Sequence, residues 1–210
     1  GPSGCGKTTL LTIVAGLASK TSGSVKVGGK EVIGPYPDYG FVFQQPSLMP
    51  WRSVLQNVLF PMEILGRNDA QAKARAEQLL EMTGLHAFAN ARPHELSGGM
   101  QQRVSLCRAL IHKPKLLLMD EPFGALDEFT RLDMNDLLLK IKAETGASVL
   151  FVTHSISEAV YLSDKVVVFT RRPARVSAEF QIDIPAPRTQ ACRFTPEFIE
   201  AERRASEALG

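Results

Sequence analysis

The sequence predicts an α/β fold: a mainly parallel sheet flanked by helices, built on a P-loop core and interrupted by an inserted helical subdomain. Three observations carry that prediction. The first eight residues, GPSGCGKT, spell G-x-x-x-x-G-K-T, a loop that ordinarily joins a strand to a helix. Short apolar runs at 116–119, 147–152 and 165–169 alternate with helix-period segments, the rhythm of strands joined by helical crossovers. Between about residues 46 and 110 the alternation stops and helical patterns follow one another directly.

The opening loop dictates its own chemistry. Gly1, Gly4 and Gly6, with Pro2, Ser3 and Cys5 between them, let the backbone wrap tightly enough for its N–H groups to face phosphate oxygens. The helix beginning near Lys7 adds its positive dipole end. Lys7 is placed to reach the β- and γ-phosphates of a nucleotide, the Thr8 hydroxyl to join the shell of a phosphate-bound magnesium, and Thr9 to hold the α-phosphate. The strand that ordinarily precedes such a loop is expected upstream of Gly1, so the sequence reads as a single domain, 1–210, without its N-terminal strands.

Composition bounds the rest. The chain has 210 residues, 44% of them hydrophobic, enough for a real core. Its 24 basic and 22 acidic residues leave a net charge of +2, so no global field points to nucleic acid. No window reaches the roughly 18 consecutive apolar residues of a membrane span. Three widely spaced cysteines, Cys5, Cys107 and Cys192, form no metal-binding pattern and fit a reducing cytoplasm. Cys107 reads as core filling, and Cys5, beside Lys7 and a helix N-terminus, as a reactive thiolate that bound nucleotide would shield, or else as a plain loop filler.

Taken in order, the run TTLLTIVAGL after Lys7 is helical and stops near Gly16. Val25, Val27 and Val32 around Gly28-Gly29 predict a peripheral hairpin. Gly40 to Phe43 form a strand that closes on Gln44, whose amide can offer oxygen to a metal or nitrogen to a phosphate. Ser53 is placed as the N-cap of the next helix, and an amphipathic helix spans about Asp69 to Met82. Leu48, Met49, Trp51, Leu59, Phe60 and Met62 are either subdomain core or an apolar patch for a partner. Ser97-Gly98-Gly99 at the start of a helix makes a second anion site, and Pro114 is expected to end that helix.

Leu116 to Met119 form a buried strand ending in two carboxylates with separable tasks. Asp120 can hold magnesium or its waters, and Glu121 can take the proton of an attacking water. Gly124 to Asp127 lead into a helix reaching about Glu144, and Ala147 to Val152 form the next parallel strand. His154 follows at the C-terminal end of that strand, where α/β sheets collect ligand groups, so its neutral imidazole can contact the γ-phosphate or the water. A helix from Ser157 to Leu162 and a strand from Lys165 to Phe169 complete the alternation. Arg171, Arg172 and Arg175 mark a solvated basic loop, and about 195–210 form a C-terminal amphipathic helix.

With these motifs in place the chain resembles the ATP-binding cassette ATPases over essentially its whole length. Gly1 to Thr8 is similar to the family's Walker A motif, Gln44 to the Q-loop and LSGGMQQR at Leu96 to Arg103 to the signature, including Leu96, Ser97, Gly98, Gly99 and Gln101. LLLMDE at Leu116 to Glu121 resembles Walker B, Gly124 to Asp127 the D-loop and His154 the H-loop residue. The resemblance implies ATP and Mg2+ as cofactors, with Thr8, Gln44 and Asp120 at the metal. It also implies a head-to-tail dimer with a second ATPase subunit, in which Ser97 and Gly99 of one subunit face the γ-phosphate held by Lys7 of the other.

Two departures stand out. Gly124 occupies a D-loop position where Ser is common, and the family's adenine-stacking aromatic residue would lie ahead of Gly1. The stretches FQQPSLMPWRSVLQNV and VTHSISEAVYLSDKVVVFTRRPARV resemble bacterial importers of the nitrate, sulfonate and taurine group. That resemblance implies an integral-membrane permease gripped near the segment after Gln44, a solute-binding protein as indirect partner, and a place on the cytoplasmic face of the inner membrane. Rival readings are a soluble or exporter-type cassette ATPase and a nucleotide-binding regulator without turnover, the last opposed by intact Glu121 and His154.

Overall fold

Helix α1 (Lys7–Val14) starts where Gly6 turns the chain at a φ of 111° and ends two residues before Gly16. The computed structural model describes residues 1–35 and 38–209. Strands β1 (Lys26–Val27) and β2 (Lys30–Glu31) pair as the expected small hairpin around Gly28-Gly29. Three parallel strands form the central sheet in the order β3 (Tyr39–Val42), β4 (Leu116–Asp120) and β5 (Ser148–Val152). Central β4 is apolar on both faces because both are covered. Leu118 packs with Leu11 of α1 and with Ala15 just beyond it, while Leu117 and Met119 face the main core.

The insertion is helical, as expected: α2 (Val54–Ile64), α3 (Ala70–Met82) and α4 (Gly98–Leu110). Ser53 closes a reciprocal capping box with Gln56, and Asp69 caps α3. Val58, Leu79, Leu80, Val104 and Leu106 join these helices into the main core. Helix α4 ends at Leu110, ahead of Pro114, because Lys113 leaves the helix at a φ of 56°. The apolar set after Gln44 divides: Leu59 is buried, Leu48 and Met62 pack on the core, and Trp51 is 71% exposed. Buried Asn57 fixes this loop, donating to the carbonyls of Met49, Arg52 and Ser53 and accepting from the Met49 amide.

Downstream come α5 (Glu128–Thr145), α6 (Ile156–Leu162), β6 (Lys165–Phe169), β7 (Val176–Gln181) and α7 (Pro196–Leu209). One expectation is corrected here and one strand is added. Strand β6 does not extend the parallel sheet; it pairs antiparallel with β7, a strand not predicted from the sequence. The signal for β7 was the period-two burial of Ala178 and Phe180, which gains meaning only from β6 beside it. The C-terminal helix seals this pair with Phe198, Ala201 and Ala205, and Gly210 lies outside the described residues.

Strands β5 and β6 both border a cavity of about 620 Å³. Its walls include Leu10 and Leu11 of α1, Phe151 of β5 and Val168 of β6, and Gly1 lies at its edge. Among the described residues no ladder joins the two strands.

Candidate functional site

The opening loop closes around its own lysine. The Lys7 ammonium donates to the carbonyls of Gly1 at 2.8 Å and Pro2 at 3.0 Å, and its side chain is 9% exposed. Ser3, Gly4, Thr8 and Thr9 are open to solvent, and no side chain caps α1, so its first-turn N–H groups face the loop mouth unclaimed by a cap. Cys5 is the exception: it is buried, at 7% exposure. The expected reactive thiolate is therefore corrected to a loop filler, its sulfur shielded by the turn that its amide closes on Pro2. Cys107 is core, as expected, and burial pushes its thiol up to about 12.

The end of β4 delivers the carboxylates. Glu121 sits at a φ of 44°, a left-handed conformation that costs a non-glycine residue about 1 kcal/mol. The turn is held because the Glu121 amide donates to Val152 and its carbonyl accepts from Gly124. One carboxylate oxygen lies 3.6 Å from the Lys7 ammonium and the other 3.0 Å from Nδ1 of His154. Three residues predicted from separate motifs thus form one contiguous group. Asp120 points its Oδ1 into a buried position with no hydrogen-bond partner, an orphaned acceptor that suits a hard cation or its water. No cluster of three His, Cys, Asp or Glu that could hold a metal ion exists among the described residues.

Gln44 and Gly124 close the same space. A Cβ built on Gly124 would stand 3.6 Å from His154 and 3.9 Å from the Gln44 amide, ordinary contact distances. The serine common at this D-loop position would therefore fit. Behind His154, the Thr153 hydroxyl donates to the buried carboxylate of Glu158, whose pKa burial raises above its usual range.

The signature segment lies at the start of α4. Ser97 caps the helix by accepting from the Met100 amide, and Gln101 folds back to donate to the carbonyls of Pro93 and Leu96. Leu96 is buried, whereas Ser97 and Gly98 are exposed, and a Cβ on Gly98 would meet nothing within 4 Å. No hydrogen bond or ion pair joins residues 96–103 to residues 1–9 among the described residues. The two helix starts predicted to bind anions thus share no hydrogen bond or ion pair within one chain, among the described residues. Asp127 is the N-cap of α5, accepting from the Thr130 amide and hydroxyl, which hold its carboxyl below the usual carboxylate range.

Two residues of α4 escaped the sequence reading. Buried Gln102 donates to the Phe43 carbonyl at 3.1 Å, and Arg108 donates to the carbonyls of Pro46 and Ser47. Both fasten the signature helix to the chain around Gln44. The adjacency of Gln102 to the signature was a hint, but its target was not readable from spacing.

The family model described as ABC transporter matches residues 1–124. An uncharacterised ABC transporter ATP-binding protein of Methanocaldococcus jannaschii is 51% identical over 100% of this chain and 77% of its own. The taurine import ATP-binding protein of Rhizobium johnstonii is 49% identical over 87% of this chain and 70% of its own. An aliphatic sulfonates import ATP-binding protein of Xanthomonas axonopodis is 48% identical over 90% and 75%. Among solved structures, a dimeric ATP-binding cassette in a post-hydrolysis state bound to ADP and Pi is similar, with a TM-score of 0.74 and 34% identity. That match covers 88% of this chain and 84% of the other.

Proposed function

The chain belongs to the ABC transporter family, and from that membership we propose that it is the ATP-hydrolysing motor subunit of a bacterial importer for taurine, another sulfonate, nitrate or a related small solute. The observation that carries the chemistry is Glu121, held between the Lys7 ammonium and His154 at the mouth of the phosphate loop. On ATP binding, Lys7 exchanges its contacts with Gly1 and Pro2 for phosphate oxygens, while the α1 amides face the same group. Glu121 takes a proton from water as that oxygen attacks the γ-phosphorus. The bond to the bridging oxygen breaks, leaving ADP and inorganic phosphate. His154 orients the Glu121 carboxylate. Thr8, Asp120 and Gln44 would hold Mg2+, which when bound neutralises phosphate charge.

The separation of the signature from the phosphate loop within one chain supports a head-to-tail pair of subunits. Exposed Trp51, Ile64 and Leu65 on the helical insertion support an apolar seat for the permease at the cytoplasmic membrane face. No helix among the described residues is long and apolar enough to cross a membrane. The test is reconstitution of the full-length protein with its permease and binding protein in vesicles. ATP-dependent uptake of taurine, a sulfonate, nitrate or a related small solute is expected; ATP hydrolysis that drives uptake of no such solute would overturn the importer reading.

The cavity between β5 and β6 supports the expected domain organisation, with a further strand continuous with Gly1 lying between them. Its walls are mainly apolar, surroundings that suit a further strand better than open water. An apolar strand of the full-length protein placed ahead of Gly1 is expected to raise the melting temperature by roughly 10 °C or more, through burial of a few large side chains. Calorimetry of both forms checks this, and equal melting would remove the strand from the slot.

A further inference from the structure

The two signature glycines differ in what surrounds them. Gly98 faces open space, but Gly99 is buried, and a Cβ there would come 2.6 Å from the Thr130 Cγ2 methyl. The same Cβ would stay 3.9 Å from the Thr130 Cβ, so the conflict is with the methyl alone. That methyl is not free to turn away. The Thr130 hydroxyl donates to one Asp127 carboxylate oxygen at 2.7 Å and its amide to the other at 3.0 Å, which fixes the side-chain torsion. Rotating the methyl clear of residue 99 would break the hydroxyl contact to Asp127.

We infer that Thr130 is a positioning residue that locks the D-loop Asp127 to the signature helix, its hydroxyl holding Asp127 and its methyl filling the space that makes residue 99 glycine. The inference rests on the ATPase reading above. Helices α4 and α5 therefore start from a shared contact, and a shift of Ser97 and Gly98 on a partner's nucleotide is passed to Asp127 through one side chain. The contact is all-or-none in character, because the two groups of Thr130 cannot serve Asp127 and vacate the Gly99 face together.

Serine and valine separate the two halves of this role. Gly99→Ala is expected to lower kcat about tenfold or more by displacing the α4 start from Thr130. Adding Thr130→Ser, which removes the methyl and keeps the hydroxyl, should return kcat to within about threefold of Thr130→Ser alone, whereas adding Thr130→Val should not. Thr130→Val by itself keeps the shape and loses the hydroxyl contact to Asp127, leaving the amide contact in place. It should lower kcat severalfold while fluorescent-ATP affinity of the isolated subunit and the circular-dichroism melt stay at wild-type values. The lock is overturned if Thr130→Ser gives no rescue, if Val rescues as well as Ser, or if Thr130→Val leaves kcat unchanged. Should Gly99→Ala fail to fold, the Thr130→Val outcome alone decides. A wild-type protein without ATPase activity would instead overturn the functional reading itself.

Discussion

Glu121→Gln is expected to reduce ATP hydrolysis at least about 100-fold, the lower range for losing a positioned general base, while ATP binding persists. The side chain keeps its volume, so a Gln amide can still meet His154 Nδ1 at the 3.0 Å position, and Lys7 keeps its two loop carbonyls. What disappears is the negative charge 3.6 Å from the Lys7 ammonium, in a site that must also accept the γ-phosphate. Removing that charge frees the lysine for phosphate and lessens repulsion of the nucleotide, so affinity should hold or rise. ATP then stays intact, and the proposed two-subunit complex should accumulate when ATP is added. Steady-state phosphate release and native mass spectrometry read both effects. Hydrolysis within about threefold of wild type would remove Glu121 as the base, because a group that only binds is not worth the difference.

The parts of this site that were legible in the sequence are those whose geometry is local. A capping residue acts on amides three positions away, so Ser53 announces its helix, while the capping by Asp69 and Asp127 at two further helix starts is seen in the structure. Glu121 and Asp120 close a strand whose unbroken apolar run already requires burial on both faces. What stayed hidden depends on distant chain segments. Trp51 and Leu59 belong to one apolar stretch, yet only the packing of α2 decides that the second is buried and the first exposed. Strand β7 has weak alternation and exists through β6. Cys5 has the neighbours of a reactive thiol but not the access. Gly99 reads as an anion-site glycine, and its crowding by Thr130 becomes visible only when α4 and α5 are brought together.

Mixing two inactive variants is expected to restore activity if each ATP site is shared by two subunits. Lys7→Ala removes the ammonium at the phosphate loop, and Ser97→Arg places a long side chain at the exposed signature start, so neither pure protein should turn over ATP. Both folds should survive. Lys7 contacts loop carbonyls rather than core, and α4 is held by its buried face even when the Ser97 cap is lost, a change worth about 1 kcal/mol. At equal amounts and random pairing, half of the dimers contain one subunit of each kind. In those dimers one site receives an intact Lys7 from the Ser97→Arg subunit and an intact Ser97 from the Lys7→Ala subunit, and the other site carries both lesions. One working site in half of the dimers amounts to about a quarter of wild-type activity if the sites work independently. A site contained in one chain has no such route, because every chain in the mixture bears a lesion. Mixed dimers seen by native mass spectrometry without any gain in phosphate release would therefore sink the shared site as an independently working unit. Recovery near a quarter would tie the separation of Ser97 from Lys7 in the monomer to the assembly in which they meet.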